Sequence, residues 1–335
     1  MIVKENKFGT GAIYQGDALV GPVYLHCVAC MTIHTETLGW AAKNKHKIID
    51  IPEHASEIVV LSCQVTDLAI LNDINSAEAF ASLYPQATIY IGGCLAQRFD
   101  IELPKNVRRL EHLRSDYTPA NNDSLVTYAA PFWDRKENLF RDHYPLRVGV
   151  GCHGKCQYCT IRTTRGPAYQ LDIEKLESDF ASAPEGKTIL PIADSMQPKQ
   201  IWAIASLARQ YKRKISLRNV EPQNVMEVSE VLFSLASAGL LDTLHTPVQA
   251  FDESVLQLMS RNVTGTKQAL KVCQQLKTMG VKLATNIIID YPGVEQAPDA
   301  FDPVYALFDH VAWNPYWNGH WNRDEAKKRW AKYLF

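Results

Sequence analysis

Three cysteines on one short run, Cys152, Cys156 and Cys159 in GCHGKCQYCT, carry the clearest chemistry in the sequence. Their C-x3-C-x2-C spacing lets a single loop offer three thiolates to three irons of a cubic [4Fe–4S] cluster, leaving the fourth iron without a protein ligand. An open iron invites a chelating substrate. A closed zinc site instead wants four nitrogen or sulfur ligands in paired spacing, and His153 is adjacent to Cys152 and poorly placed to be the fourth. A plain ferredoxin run has different spacing and four ligands per cluster.

The other cysteines are Cys27, Cys30, Cys63, Cys94 and Cys273. The N-terminal run MIVKENKFGTGAIYQG lacks the apolar core of a secretory signal, and no apolar stretch approaches the roughly 18 residues of a membrane-spanning helix. A cytoplasmic location is therefore expected, where thiols serve as metal ligands or catalytic groups rather than as a disulfide framework. Cys273 lies on an apolar helical face and reads as a core residue. The runs VYLHCVAC (23–30), EIVVLSC (57–63) and TIYIGGC (88–94) are β-branched or aromatic, too short for helices, and all end in cysteine. Amphipathic segments such as DINSAEAFASLYP (73–85) separate them, which implies a parallel sheet with crossover helices. Groups at the carboxyl ends of such strands share one edge, so Cys63 and Cys94, with Cys27 or Cys30, are expected to gather at one mouth.

A chain of 335 residues accommodates roughly two domains. Hydrophobic residues make up 46% and charged residues 21%, a composition that folds, and 35 basic against 36 acidic side chains leave a formal charge of −1. That balance excludes a whole-chain electrostatic footprint for nucleic acid or membrane, so a bound polyanion must meet a local patch. A second strand-helix series begins with PLRVGVG (145–151), directly before the three-cysteine loop, and continues through KTILPIA (187–193), KISLRNV (214–220), DTLHTPV (242–248), VKLATNIIID (281–290) and HVAWNPY (310–316). Helices are expected between them, among them 222–240 and 266–280. The fold class is α/β: an N-terminal parallel αβα sheet domain over 1–118, a connection over 119–140, a partial (β/α)6 barrel over 141–318 and an aromatic, basic C-terminal helix over 319–335. Within the connection, Val126, Tyr128, Phe132 and Trp133 point to a segment that lies on a surface.

The cysteine loop resembles the signature of the radical S-adenosylmethionine (SAM) enzymes, including an aromatic residue, Tyr158, just before the third cysteine. In that superfamily SAM chelates the open iron and is split by one electron to a 5'-deoxyadenosyl radical that abstracts hydrogen from a substrate. CQVTD (63–67), GGCLAQR (92–98), CQYCTIRTTRGP (156–167), HTPVQAFDESVLQLMSRNVT (245–264) and NIIIDYPGVE (286–295) are similar, in order, to landmarks of the methylthiotransferases. This resemblance covers the chain from about residue 23 to 316. It implies two [4Fe–4S] clusters, one binding SAM and one auxiliary, and an enzyme that inserts sulfur into an unactivated C–H bond and methylates it. The SAM cluster would be held by Cys152, Cys156 and Cys159. Cys63 and Cys94 match two auxiliary ligands. The third is Cys27 or Cys30, because the family has a lone cysteine followed by an asparagine where this chain has HCVAC. Ligation by both would close the iron that the family keeps open for sulfur. The resemblance further implies an electron donor such as flavodoxin or ferredoxin, and a substrate that is a tRNA adenosine or a ribosomal-protein aspartate.

Polar groups at strand ends on the catalytic face are the candidate SAM contacts: Asp194, Ser195, Ser216, Arg218 and Gln249, together with Tyr158. No side chain is assigned as an acid or base. The chain departs from the family at Ala250 and Phe251, where small residues are expected, and at Asp290, where a glycine usually stands. Two readings follow for Asp194 and Asp290: cofactor contact, or turn formation. Arg162 and Arg165 either meet an anionic substrate, the reading the family's Arg-Gly at this place favours, or pair with carboxylates. The chain stops at Phe335 without the small TRAM β-barrel into which family members usually continue, and carries Trp313, Tyr316, Trp317, Trp321, Trp330, Tyr333 and Phe335 among Lys327, Lys328 and Arg329 instead. Such a stripe either stacks on bases or forms a helix that closes the open side of the barrel, the second being expected. A smaller peptide or metabolite is therefore a third substrate class. The alternatives to sulfur insertion are a radical SAM reaction of another type, and a non-catalytic iron-sulfur protein whose SAM pocket Ala250, Phe251 and Asp290 have spoiled.

Overall fold

The computed structural model describes residues 4–5, 12–113, 127–128, 139–140, 143–170, 173–293 and 302–331. The chain divides into two compact units: Met1–Glu137 with Gly319–Phe335, and Asn138–Asn318.

The first unit is a seven-stranded sheet. Its strands are β1 (Lys4–Glu5), β2 (Ala12–Tyr14), β3 (Val23–Cys27), β4 (Glu57–Ser62), β5 (Thr88–Gly93), β6 (Val107–Leu110) and β7 (Thr127–Tyr128), in the order β1-β2-β6-β5-β4-β3-β7. Every pairing except β1 with β2 is parallel. The cysteine-ending runs form its centre, and β4 is buried at every residue, as a strand covered on both faces must be. Helix α1 (Met31–Lys43) follows β3, and α2 (Asp67–Leu83) follows β4. The helix expected over 73–85 thus starts six residues earlier. Thr66 supplies the N-cap, its hydroxyl accepting from the Ala69 N–H at 3.2 Å, which satisfies one of the donors a helix start leaves over. The connection expected over 119–140 falls mostly outside the described residues; within it, Thr127–Tyr128 pairs with β3.

The C-terminal helix, Arg323–Ala331, corrects the expectation that the aromatic tail closes the barrel, because it packs within the first unit, on α2. The physical reason lies in what its side chains need. Buried Trp330 packs with Leu68 and Leu71, and its indole N–H, which must find an acceptor, donates to Asp67 Oδ1 at 2.7 Å. Arg329 Nε stands 3.2 Å from the other Asp67 oxygen, and Arg323 donates to both carboxylate oxygens of Glu78 at 2.8 and 2.6 Å. Asp67 is also the first residue of α2, where a carboxylate is favoured by the helix dipole. Tyr333 and Phe335 lie outside the described residues.

In the second unit β8 (Tyr144–Arg147), β9 (Gly149–Val150), β10 (Tyr169–Gln170), β11 (Ile189–Ile192), β12 (Ile215–Leu217), β13 (Leu241–His245), β14 (Lys282–Ile289) and β15 (His310–Pro315) are joined by helices. These are α3 (Ile161–Arg165), α4 (Ile173–Ala181), α5 (Pro198–Gln210), α6 (Pro222–Glu227), α7 (Ser229–Ser237), α8 (Glu253–Leu258), α9 (Val263–Thr278) and α10 (Asp302–Leu307). Six strands form one parallel sheet in the order β15-β14-β13-β12-β11-β8, so neighbours follow the chain and the sheet is an open, partial (β/α)6 barrel. β9 and β10 form a separate antiparallel pair. The helix expected over 222–240 is two helices, α6 and α7, divided at Val228. Leu146, Ile189, Leu217, Leu244, Leu283 and Cys273 are fully buried in the core between sheet and helices.

Two outcomes are expected. Trp330→Ala removes packing and leaves Asp67 short of a donor, and should lower stability by about 3–5 kcal/mol in urea unfolding. Burial, and then Arg218, hold the His245 pKa at about 3 against an ordinary 6.5. Between those values the unfolded chain binds the proton and the folded one does not, so stability falls as pH drops through that window, by at most about 1.4 kcal/mol per unit. Urea midpoints at about pH 7 and about pH 5 should therefore diverge less in His245→Asn than in the parent.

Candidate functional site

In the first unit, parallel register fixes two thiols side by side. Leu61 pairs with Gly92 and Ser62 with Gly93, so Cys63 and Cys94 leave adjacent strands at the same level. Ser62 tightens this exit: its hydroxyl donates to the Gly92 carbonyl and accepts from the Leu95 N–H, while its own carbonyl accepts from Cys94 N–H at 3.1 Å. Gly93 has a φ of +78°, and a Cβ there would run into the Ser62 backbone, so the glycine before Cys94 is obligatory.

Cys27 and Cys30 separate in this geometry. Cys27 pairs with Leu61, two residues short of the Cys63 level, and is fully buried in β3. Cys30 lies beyond the strand end as the N-cap of α1. The Cys63 thiol donates to Cys30 and has Cys94 as its other thiol neighbour, and the Cys30 bond, then burial, raise the Cys63 pKa well above the ordinary thiol value. Burial does the same for Cys27, with Cys30 and Asp73 adding to the rise. The structure thus gathers Cys30, Cys63 and Cys94. Asp73 of α2, which the sequence offered only as the first residue of a helix, is fully buried beneath them. Its Oδ2 accepts from the Cys63 N–H at 2.8 Å, its Oδ1 has no partner, and burial raises the carboxyl's pKa well above the carboxylate range.

In the second unit the three-cysteine loop runs from the end of β9 into α3. Gly151 at φ +80° begins it, and a Cβ there would meet the Gly166 and Pro167 carbonyls. Cys152 N–H donates to Gly166 O at 3.2 Å, so the loop closes on itself beside the β9–β10 pair. The Asp194 carboxylate ties both stems: Oδ2 accepts from Gly151 N–H at 2.8 Å and from Arg165 Nε at 2.9 Å, with both side chains almost wholly buried. Inside the loop, Cys152 Sγ accepts from Gly154 N–H at 3.1 Å and from the Ser195 hydroxyl. A Cβ on Gly154 would stand 3.1 Å from Cys152 Sγ and 3.8 Å from Cys156 Sγ, so this glycine leaves the thiol mouth open. Burial raises the Cys152 pKa, and it pushes Cys159 up to about 12 although that residue keeps exposed surface. Metal ligation reverses such shifts by displacing the proton.

Two residues that sequence reasoning missed complete the loop's surroundings. Arg261, between α8 and α9, is buried; Nη1 lies 3.6 Å from Cys156 Sγ, 3.4 Å from the Tyr158 hydroxyl and 2.7 Å from Glu221 Oε2, and Nη2 donates to Pro247 O at 2.5 Å. Burial alone would lower its pKa; Tyr158, Glu221 and Cys156 more than offset this and raise it. Arg261 stands within the landmark run 245–264, but nothing in its spacing distinguishes it from a surface arginine. Glu221 caps α6 ahead of Pro222 and carries no sequence signal.

The candidate SAM contacts divide. Tyr158 packs against the cluster formed by Ala250, Val255, Leu256, Met259, Ile288 and Tyr291, and Ser195 touches Cys152. Gln249 follows β13 at φ +73°, bridging to Ile287. Arg218 follows β12, near His245. Asp194 is engaged with Gly151 and Arg165, and Ser216 with His143 Nε2 at 2.9 Å and with Asp242 at 3.5 Å, near the amino ends of the strands. Arg165, a candidate for an anionic substrate, is instead buried on Asp194, whereas Arg162 is exposed. The departures from the family pattern have local causes. Ala250 is core, Phe251 turns to Phe308 with ring centroids 6.4 Å apart, and Asp290 occupies a left-handed position at φ +56°, which aspartate tolerates better than most residues.

Among the described residues no group of three or more His, Cys, Asp or Glu is disposed to hold a single metal ion, and no helix is long and apolar enough to cross a membrane. The donor set of the Cys152–Cys159 loop is all thiol and Gly154 leaves its mouth open, which suits an iron-sulfur cluster held by thiolates.

Residues 146–297 match the Radical SAM superfamily. A tRNA-2-methylthio-N(6)-dimethylallyladenosine synthase of Sulfurihydrogenibium sp. is 24% identical over 277 residues, 72% of this chain and 62% of that protein. A ribosomal protein uS12 methylthiotransferase of Elusimicrobium minutum is 25% identical over 316 residues, 84% of this chain and 71% of that protein. Among solved structures, the radical SAM enzyme coproporphyrinogen III oxidase of Escherichia coli aligns with a TM-score of 0.35 and 18% identity over 52% of this chain and 43% of that one.

Asp194→Asn keeps the shape of the staple and removes its charge. With the Arg165 guanidinium left buried, stability should fall by about 3–5 kcal/mol in urea unfolding, whereas Arg162→Gln, at the exposed position, should cost under about 0.5 kcal/mol.

Proposed function

We propose that this chain, which carries a Radical SAM domain over residues 146–297 and is similar along most of its length to methylthiotransferases, is a methylthiotransferase-like radical SAM enzyme that inserts sulfur into a C–H bond. The observation that supports this most directly is the presence of two separate three-thiol sets, Cys152/Cys156/Cys159 and Cys30/Cys63/Cys94, each at the carboxyl end of a parallel-sheet unit. In this reading the first set holds the SAM-binding [4Fe–4S] cluster and the second an auxiliary cluster that donates or carries sulfur. When bound, the first cluster supplies the electron that splits SAM.

The protein's own groups orient and shield. Gly154 N–H and the Ser195 hydroxyl direct Cys152 Sγ, and Asp194 fixes the loop stems. Tyr158, Ser195, Arg218 and Gln249 are the proposed SAM contacts; Asp194 ties the loop stems instead, and Ser216 lies near the amino ends of the strands. Asp73 holds the Cys63 backbone in place. The substrate is proposed by likeness to the relatives: a tRNA adenosine or a ribosomal-protein side chain, with a smaller peptide or metabolite as the third class, and flavodoxin or ferredoxin as electron donor. This chain spans 62% of the Sulfurihydrogenibium synthase, so that protein's substrate transfers only as a proposal.

One feature favours a second reading. Cys27 and Cys30 are electrostatic neighbours, and ligation by both would close the auxiliary cluster and leave it to electron transfer or substrate binding. Cys27→Ser that still holds a full auxiliary cluster speaks for the sulfur-transfer reading; loss of that cluster speaks for the closed one.

The decisive assay is iron and acid-labile sulfide after anaerobic reconstitution, with 5'-deoxyadenosine production under reduction. About eight irons per chain are expected, falling to about four, with SAM cleavage abolished, in the Cys152/Cys156/Cys159 triple alanine variant, since each cube holds four. Persistent cleavage in that variant would defeat the proposal.

A further inference from the structure

We propose that Arg261 and Glu221 form a buried charge pair that sets the reduction potential of the cluster held by Cys152, Cys156 and Cys159, with Arg261 raising it and Glu221 opposing it. This rests on the reading of those three thiols as cluster ligands, and it assigns a role to two residues of no apparent use in holding iron.

Arg261 is placed as a fixed charge rather than as a surface cation. Only 4% of its side chain is exposed, and four groups from three places hold the guanidinium: Cys156 Sγ at 3.6 Å and Tyr158 Oη at 3.4 Å from the loop, Glu221 at 2.7 Å from the cap of α6, and the Pro247 carbonyl at 2.5 Å beyond β13. A guanidinium cannot lose its proton in a protein, and in a desolvated setting its charge is poorly screened. Once Cys156 is a thiolate ligand, the contact becomes a charge-assisted N–H···S bond.

Reduction adds one negative charge to the cluster. Hydrogen bonds to the ligating sulfurs and nearby positive charge favour the more negative state, so both raise the potential. Glu221 acts with the opposite sign, since its carboxylate, 2.7 Å from Arg261 Nη1, bears electrostatically on Cys152 and Cys159 as well as on Tyr158. It is also the more solvated partner, with 18% of its side chain exposed against 4% for Arg261, so its charge is the better screened of the two. The pair therefore leaves a net positive field at Cys156. Asp194 and Arg165 do not share this role: Asp194 contacts the loop through the Gly151 backbone and not through a sulfur.

The test is mediated redox titration of the reconstituted full chain without SAM, following the EPR signal that the Cys152/Cys156/Cys159 triple alanine variant lacks, with iron content and apo-protein melting temperature recorded for each variant. Arg261→Met should shift the midpoint to more negative potential, Glu221→Gln to more positive, and Arg261→Lys should fall between Arg261→Met and the parent. Opposite signs are what loosened packing does not produce, because general loosening moves both variants the same way or costs both their iron. Unchanged midpoints, or shifts of one sign, overturn the inference. Should Arg261→Met fail to hold iron, Glu221→Gln decides: a midpoint at or below the parent's overturns it. Weakened SAM binding in the Arg261 variants with the SAM-free midpoint unmoved would make Arg261 a substrate contact and likewise overturn it. A parent chain that binds no iron would instead overturn the cluster reading beneath it.

Discussion

Thiolates that must converge on one inorganic core repel one another, so the backbone has to aim them before the core can hold them. Two sets of thiols come together in this protein, and the two units bring them together by different means. In the first unit the aim comes from sheet register: once Leu61 faces Gly92, Cys63 and Cys94 have no choice of level, and Ser62 and Gly93 determine how the chain leaves the strands. In the second unit the three thiols lie on one loop, where register cannot help. There the stems are tied from outside, by the β9–β10 pair and by one carboxylate that accepts from both sides of the loop.

The choice of a buried ion pair for that tie is informative about what it is for. Taking Arg165 and Asp194 out of water costs several kcal/mol per ion, and an apolar pair of similar volume often folds as well or better. Asp194 recovers part of that cost through the Gly151 N–H, a bond no apolar side chain could make. Stability alone would not require this arrangement; fixing the distance between Gly151 and Arg165 does. The Arg261–Glu221 pair has the same economy, with the Pro247 carbonyl and the Tyr158 hydroxyl taking donors that would otherwise be left unsatisfied.

What could be read from the sequence follows from how local each signal is. Strands 57–62 and 88–93, the open barrel and the cysteine loop were all legible, because apolar runs, turn residues and ligand spacing are written within a few residues of each other. How Cys27 and Cys30 stand relative to Cys63 was not, since it depends on β3 pairing with β4 in a register that sets Cys27 two residues low. Neither were Asp73, Arg261 and Glu221, which join loops from distant parts of the chain and have no motif of their own. The tail shows the limit most plainly. Its aromatic and basic residues declared a helix, but whether Trp330 found its acceptor in the barrel or at the start of α2 was a tertiary matter.

The departures from the family pattern bear on function in a way that composition could not foresee. Three substitutions at consecutive landmarks invite the view that the SAM pocket is spoiled. Each has a different explanation in the fold: Ala250 fills the core beside Tyr158, Phe251 faces Phe308 at the lining of a cavity of about 460 Å³ with Leu270 and Pro303, and Asp290 takes a backbone conformation for which glycine is the usual choice. None of the three removes a polar group from the Cys152–Cys159 loop. A residue class that a family avoids at a position is therefore evidence about that position's backbone and packing first, and about the cofactor only where the side chain reaches it.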